Sequence, residues 1–467
     1  MALRLSIASP FEAETELESH LREAFDSLKP SLRPPFSLSI PNPHQYALLN
    51  AAILHAVLTE PHFAKTHIKH LHAAVTDGYA TFLSLLRHLV LLLFPKLLPS
   101  VKTQLLSLTH QTVRVLGVGH DAVLLSLLRR IAAVDFTDSN LCLCSNLVSL
   151  FLEQFDSLLE ESPQVLSFAL YAFLRVLADH SGVEKFETLK LLEVHFCVKV
   201  IKEAFHVCLK IGRDLIRLLQ DLLHVPEIRA VLNDIVFNPC VFDSAGFKFK
   251  GVSQIFCTRT SSRYSLLRIS PEMETQLRFL LTNVKLGHHR RHQMWFARKF
   301  LNEPDKEFVI VDIVRFICCA HHPTNEIIQS DIVPRWALIG WLLTCCRRSH
   351  VVANVKLALF YDWLFFDERV DNIMNIEPAV LLMVHSIPQY IEITRGLLEF
   401  LLHLVDNYDV ERKGMIVKGV ASAFQLLVRK GVIRSIDVLT SCPALSPGLR
   451  DGLVRLLSVA KVGNSQV

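Results

Sequence analysis

The sequence predicts an all-α protein, arranged as a HEAT-like α-solenoid of consecutive antiparallel helix pairs. Apolar residues recur at intervals of three and four along most of the 467 residues, which is the period of an amphipathic helix. Glycine is scarce, at 16 residues, and the short β-branched runs typical of strands are missing. The breaks between apolar stretches are short, and helix pairs of about 35–45 residues are typical of HEAT repeats.

The composition indicates a chain that is mostly folded. Hydrophobic residues make up 51% of the sequence and charged residues 20%, unlike the apolar-poor composition of disordered chains. Residues 1–20 lack the basic start and continuous apolar centre of a signal peptide. The eleven cysteines are an odd number scattered within apolar helical patterns, which is typical of reduced, buried thiols in an intracellular protein.

One apolar segment, residues 81–98, approaches the length of a membrane span. It contains Arg87 and His88 near its middle and Pro95 near its end. A span requires about 20 uninterrupted apolar residues. We therefore predict a buried core helix here, with a membrane span as the less favoured alternative.

Four regions follow one another along the chain. Residues 1–43 are predicted to form a leader, with an acidic helix at 13–28, and a proline-rich linker. Residues 44–233 and 263–467 are predicted to form two helical-repeat halves, with an irregular hinge at 234–262, where Asn, Pro, Gly and Ser are mixed. The predicted helices of the first half lie at 44–59, 61–75, 78–94, 97–115, 120–132, 138–159, 164–180 and 185–223. Those of the second half lie at 271–286, 290–301, 307–320, 324–329, 332–347, 352–366, 377–386, 388–406, 411–429, 431–441 and 446–460.

Two helix boundaries have recognisable signals. Ser270 is the expected N-cap of a helix with Pro271 at its first position, and Gly287 is the expected stop. Asp331 is expected to cap the helix at 332–347.

The stretch from His322 to Glu377 contains three of the four tryptophans. No nucleophile, phosphate loop or complete metal set accompanies them, so we predict that they lock consecutive repeat helices together. The aromatic residues concerned are Trp336, Trp341, Phe360, Trp363 and Phe365.

Two charged stretches are candidate partner-binding surfaces. In residues 211–222 the charged side chains lie off the apolar stripe, where they form either intrahelical salt links or a partner contact. Residues 259–300 carry nine Lys or Arg against two Glu, so this basic segment contacts an acidic partner or nucleic acid, or is a solvated face with its aromatics in the core. The candidate partner-binding residues are Arg213, Asp214, Arg217, Asp221, Arg259, Arg263, Arg290, Arg291, Trp295 and Arg298.

Histidine and cysteine clusters invite a metal interpretation. They comprise His67, His70 and His72; His288, His289 and His292; and Cys318, Cys319, His321 and His322, which Cys345 and Cys346 could complete. None has a CxxC pair, so no metal or cofactor is predicted.

Signatures of catalysis are also missing from the sequence. Gly117-Val118-Gly119 lacks the third glycine of a dinucleotide loop, and the sequence has no GxxxxGK[ST], HExxH or GxSxG. Asp362, inside FYDWLFF, is interpreted as a hydrogen-bonded structural carboxylate. We predict a protein that is not an enzyme.

Several long motifs closely resemble the N-terminal region of the Integrator complex subunit 3 family. They are IGRDLIRLLQ, RTSSRYSLLRISPEMETQLRFLLTNVKLGHHRRHQMWFARKFL, HPTNEIIQSDIVPRWALIGWLLTCC, NVKLALFYDWLFF and NIMNIEPAVLLMVHS. The resemblance runs from about residue 45 to residue 440, and the leader matches weakly.

The resemblance implies a non-catalytic helical scaffold in the nucleus, with a cytoplasmic pool. Members hold an OB-fold single-stranded DNA-binding protein and a short helical partner peptide, and join other Integrator subunits. They act in the DNA damage response and in small nuclear RNA 3′-end processing and transcription. Members usually continue into a second helical domain, so the shorter chain is expected to be a plant-like lineage variant, a fragment or a truncated gene model. Direct nucleic-acid binding by residues 259–300 is the alternative function.

Overall fold

The computed structural model describes residues 4–7, 14–36, 41–244 and 246–462. These residues contain 26 α-helices and eight short 3-10 helices, without any β-strand, and the all-α prediction is confirmed. The chain divides into two compact units, Met1–Val207 and Cys208–Val467. Residues 234–262 lie within the second unit, and their role as a hinge stays a prediction.

The first unit contains ten helices among the described residues. They are α1 (Glu16–Leu28), α2 (Pro43–Thr59), α3 (Ala64–Ala74), α4 (Ala80–Leu93), α5 (Pro99–Arg114), α6 (His120–Leu128), α7 (Asp138–Glu153), α8 (Phe155–Glu161), α9 (Pro163–His180) and α10 (Glu187–Glu203). A capping box formed by Asn42 and Gln45 starts α2, with Pro43 at its first position. The short helix α11 (Phe205–Cys208) crosses the boundary between the units.

The remaining described helices belong to the second unit. They are α12 (Asp214–Asp221), α13 (Pro226–Phe237), α14 (Val252–Phe256), α15 (Ser262–Ser265), α16 (Pro271–Asn283), α17 (His289–Phe300), α18 (Val309–Cys319), α19 (Asn325–Ile328), α20 (Arg335–Cys345), α21 (Ser349–Leu364), α22 (Ile373–Ser386), α23 (Ile391–Asn407), α24 (Lys413–Arg429), α25 (Asp437–Thr440) and α26 (Pro447–Val462). Ser270 caps α16 through the Met273 amide, as predicted.

The continuous helix predicted at 185–223 is wrong. The chain breaks at Ala204 and again at Gly212, where φ is +75°. A Cβ atom on Gly212 would lie 2.5 Å from the Thr258 carbonyl oxygen, so only glycine fits this close approach.

Two predicted cap residues have other roles. The helix α16 ends at Asn283, four residues before Gly287, because Val284 turns into extended backbone. The N-cap of α20 is Pro334, and Asp331 instead forms an exposed ion pair with Lys285 at 2.9 Å.

The segment considered as a membrane span is a core helix of the first unit. On α4, Phe82, Leu86 and Leu89 are fully buried, while Arg87 and His88 are exposed. Among the described residues, no helix is long and apolar enough to cross a membrane. All eleven cysteines are free, and three of them are exposed rather than buried, contrary to expectation: Cys142, Cys240 and Cys257.

The predicted aromatic contacts join neighbouring helices of the second unit. The buried Trp363 ring of α21 meets Phe424 of α24 at 4.9 Å, and Trp336 of α20 stacks on His385 of α22 at 4.7 Å. Trp341 meets Phe296 of α17 at 6.3 Å. These rings fill the spaces between helices. The helices that they join are α17 with α20, α20 with α22 and α21 with α24, so the prediction that they lock consecutive helices together is corrected.

We predict that Gly419→Ala destabilises the second unit, because α24 crosses the end of α21 at close range. An added Cβ would lie 2.7 Å from the Leu364 carbonyl oxygen and 2.9 Å from the Phe366 nitrogen. Overpacking of this kind costs about 1–3 kcal/mol. The matched variant Gly414→Ala, on the same helix with open space around its Cβ, should not lower the free energy of unfolding. Urea denaturation measures both, and equal effects would contradict the prediction.

Candidate functional site

The charged residues at the start of α12 lie inside the second unit. Arg213 and Asp214 have no exposed surface, and Arg217 retains 3%. Their backbone is fixed by the preceding close approach, since the Arg213 amide donates to the Thr258 carbonyl at 2.9 Å. A partner cannot reach these three side chains in this structure, so the predicted binding surface is corrected to an internal position.

Six buried charges meet at this point. We call them the ion cluster: Arg213, Asp214, Arg217, Arg315, Asp362 and Asp371. They come from α12, α18, α21 and the turn after α21. The cluster holds three cations and three anions, so it buries no net charge.

Arg213 and Arg315 are the two bridging members of the ion cluster. Arg315 donates from Nη2 to Asp214 Oδ1 and from Nη1 to Asp362 Oδ2, both at 3.0 Å. Arg213 lies 3.5 Å from Asp362 Oδ1 and 3.2 Å from Asp371 Oδ2. Each arginine therefore joins carboxylates from two different elements. Intrahelical links add to this, since Arg217 lies 3.4 Å from Asp214, in agreement with the predicted salt links.

Neutral groups complete the hydrogen bonding around the ion cluster. Cys319 donates its thiol hydrogen to Asp362 at 3.2 Å, and Asn375 donates to the same oxygen at 3.4 Å. The Tyr361 hydroxyl donates to the Arg213 carbonyl at 2.8 Å. Asp362 is thus the hydrogen-bonded structural carboxylate that the sequence indicates.

The pKa values of Asp362 and Asp371, two carboxylates of the ion cluster, are shifted in opposite directions. Burial opposes ionisation of Asp362, but Arg315 and Arg213 outweigh it and lower its pKa to about 2. Burial raises the pKa of Asp371, and Arg213 offsets this only in part. Asp362 therefore remains an anion over the physiological range, which suits a fixed counter-ion rather than a proton-transfer group.

The Cys318–His322 segment is packed as part of the core. Burial raises the pKa of the Cys318 thiol to about 12, and His322 Nε2 lies 3.2 Å from both the Cys318 carbonyl and the Asn375 amide oxygen. Arg335 donates to the His321 carbonyl at 3.2 Å. Across the described ranges, no group of three His, Cys, Asp or Glu side chains is arranged to hold a metal ion.

The basic segment at 259–300 separates into compensated and uncompensated cations. Arg268 is buried against Asp312 at 3.3 Å, Arg278 pairs with Glu274 at 2.7 Å, and Lys285 pairs with Asp331. The remaining cations are the half-buried Arg259 and the exposed Arg263, Arg290, Arg291, Arg298 and Lys299.

The aromatics of the basic segment divide in the same way. Tyr264 and Phe296 are buried, as in the solvated-face interpretation, but Trp295 is 45% exposed. The structure therefore brings Arg290, Arg291, Trp295 and Arg298 together on α17. It leaves Asp221 half-buried beside Arg217 at 4.0 Å.

Sequence reasoning missed Arg315 and Asp371 as members of the ion cluster. Arg315 was visible as a lone cation within the apolar run VIVDIVRFICC, and a charge in a buried helix requires a partner. Asp371 lies in a polar turn and carried no comparable signal.

An all-helical fold with a neutral internal ion cluster and a basic helix face fits the class of helical scaffold proteins. Residues 44–455 match the family model described as Integrator complex subunit 3 N-terminal. The chain belongs to this family.

Individual relatives agree with the family match. The chain is 36% identical over 466 residues to Integrator complex subunit 3 of Mus musculus, covering 96% of this chain and 44% of the relative. The corresponding protein of Homo sapiens is 35% identical over 464 residues, covering 96% and 43%. That of Danio rerio is 34% identical over 466 residues, covering 96% and 45%. The similarity extends beyond the expected range of 45–440, and the chain spans less than half the length of these relatives.

We predict that Asp362→Asn destabilises the second unit by about 3 kcal/mol or more, because it leaves two buried arginines short of negative charge. Asp331→Asn is the matched control, since Asp331 and Lys285 are an exposed pair and should contribute little. Urea denaturation followed by circular dichroism compares them. Similar losses in the two variants would contradict the structural role of the ion cluster.

The structure also predicts acid sensitivity through His321. Burial, together with Arg278 and Arg335, lowers the pKa of His321 from 6.5 to about 4. The unfolded chain binds a proton in this window and the folded chain does not, so the free energy of unfolding falls as the pH drops from 6.5 towards 4. His321→Gln should show a flatter pH dependence than the wild type, whereas the exposed-residue variant His350→Gln should not. An unchanged slope in His321→Gln would refute this assignment.

Proposed function

We propose that this chain is a non-catalytic helical scaffold of the Integrator complex, associated with other Integrator subunits. Family membership over residues 44–455 carries the proposal, because the relatives are subunits of that complex by name. The structural chemistry supports a scaffold. The ion cluster inside the second unit is neutral overall and buried, and its Asp362 accepts hydrogen bonds from Arg315 and Cys319.

We propose that the helices form a HEAT-like α-solenoid. Within the second unit α21 contacts α22, α22 contacts α23, and α23 contacts α24. Within the first unit α1 contacts α2, α2 contacts α3, and α9 contacts α10. Packing between neighbours along the chain is the pattern by which helical repeats bury their apolar faces.

We further propose that the scaffold holds an OB-fold single-stranded DNA-binding protein and a helical partner peptide. In this proposal it works mainly in the nucleus, in the DNA damage response and in Integrator-linked small nuclear RNA 3′-end processing and transcription. The motif resemblance supports these partners and places. The OB-fold subunit, rather than this chain, would contact the DNA.

Direct binding of single-stranded nucleic acid by residues 259–300 is the second candidate function. The exposed cations on α17 favour it, because unpaired arginines attract phosphates. The pairing of Arg268, Arg278 and Lys285 with carboxylates weighs against it. The basic segment presents fewer free cations than its sequence suggests.

The full chain, mixed with a purified OB-fold single-stranded DNA-binding protein, should elute with it as one complex in size-exclusion chromatography. A labelled oligonucleotide should join the complex through the OB-fold subunit and should not shift with this chain alone. An unrelated OB-fold protein of similar size is the control. Failure to associate at low ionic strength would overturn the OB-fold proposal.

A further inference from the structure

The helix α17 presents one face to solvent. Arg291, Met294, Trp295 and Arg298 are all exposed, and positions separated by three, four and seven residues share one side of a helix. We call these four residues the α17 stripe. The opposite side of the helix is anchored in the core by Gln293 and Phe296. The stripe is therefore held on a packed element rather than on a loop.

The charge of this face is not balanced locally. Residues 284–302 include Lys285, four further cations and no Asp or Glu. Arg290, Arg291, Arg298 and Lys299 are exposed, and none pairs with a carboxylate in the part of the chain that the structure describes. The neighbouring cations on α16 and at Lys285 do pair. The face is thus complementary to an anionic partner.

The centre of the stripe is apolar and partly pre-organised. Met294 is 56% exposed and Trp295 is 45% exposed. The Trp295 ring is held by Lys299, whose Nζ lies 5.1 Å from the ring centroid, and by the edge of Phe300 at 6.3 Å. A large aromatic side chain that is already ordered loses little entropy on binding, which is typical of interface anchors.

The spacing favours a helix over a nucleic acid as the occupant. Arg291 and Arg298 are two turns apart, about 10.5 Å along the axis. A partner helix packed along α17 with acidic residues at i and i+7 and apolar residues between them has the same spacing. Binding of single strands by stacking uses successive exposed rings, whereas the stripe has one ring, already in contact with Lys299, beside a methionine. Methionine adapts well to apolar helix faces.

We propose that the α17 stripe is a docking site for an acidic amphipathic helix of a partner protein. Acidic side chains of the partner contact Arg291 and Arg298, and its apolar face covers Met294 and Trp295. The inference rests on the proposed scaffold function, and it assigns a surface and a chemistry to one partner.

The test uses the full chain and a synthetic peptide of about 18 residues, roughly five helical turns. The peptide carries Leu and Phe on one face and Glu on both flanks. A peptide of the same composition, scrambled so that the apolar residues no longer share a face, is the ligand control. Fluorescence anisotropy measures Kd, and the tryptophan emission should shift to shorter wavelength on binding, since Trp295 is the exposed one among the four tryptophans.

Two double variants test the assignment. Arg291→Glu with Arg298→Glu, and Met294→Ala with Trp295→Ala, should each raise Kd at least tenfold, and the second should also abolish the emission shift. Lys65→Glu with Lys69→Glu changes the net charge equally at exposed positions on α3. Phe237→Ala removes another exposed ring. Both controls should bind the peptide as the wild type does.

Several results would overturn the proposal. They are equal binding of the scrambled peptide, absence of peptide binding, and equal effects of the stripe and control variants. A single-stranded oligonucleotide that binds with steep salt dependence and is lost in Arg291→Glu with Arg298→Glu, without peptide binding, would make the stripe a nucleic-acid site. Association with the OB-fold protein is measured separately, so failure of the docking site leaves the scaffold proposal standing.

Discussion

The second unit depends on buried ion pairs that Arg213 and Arg315 form with Asp362. Removing charges from water costs several kcal/mol for each ion, and attraction in the interior recovers this only when the geometry is good. Asp362 meets that condition with two arginines, a thiol and an amide around it. The arginines meet it less completely, since Nε of Arg213 and of Arg315 has no acceptor among the described residues. We infer that the ion cluster contributes more to the choice of one arrangement than to net stability.

The ion cluster determines how distant parts of the second unit come together. Arg213 and Asp371 are 158 residues apart in sequence, and Arg315 and Asp214 are 101 residues apart. The eight-residue helix α12 is too short to be stable alone. Its position is held by Gly212, which permits the close backbone approach to Thr258, by its charged side chains, and by its buried apolar side chains, which include Leu215, Leu218 and Leu219. Apolar packing and the ion cluster therefore act together on this short helix.

The sequence predicts the helices well and the burial of charge poorly, for one physical reason. Periodicity reports which side of a helix is apolar, and it identified α2, α4 and α16 together with the Ser270 cap. It does not report whether the polar side is covered by a segment about 150 residues away. Arg213 and Asp214 were therefore predicted to lie on the surface, although they are buried. The break at Gly212 was missed similarly, because the apolar pattern continues across it and the close approach of Thr258 is a tertiary contact. Gly287 and Asp331 are residue types that often cap helices. In the structure, however, α16 ends at Asn283 and the N-cap of α20 is Pro334.

Pairing with a carboxylate distinguishes the structural cations of this molecule from its candidate binding cations. Residues 259–300 contain nine Lys or Arg that the sequence cannot rank, because most of the matching carboxylates lie outside the segment. Asp312 lies 44 positions from Arg268, and Asp331 lies 46 positions from Lys285. Once these partners are assigned, most of the free charge of the segment remains on α17, around Trp295. Buried cations without counter-ions would destabilise the fold, whereas exposed ones are tolerated and remain available. The uncompensated face of α17 is consequently suited to bind an anionic molecule.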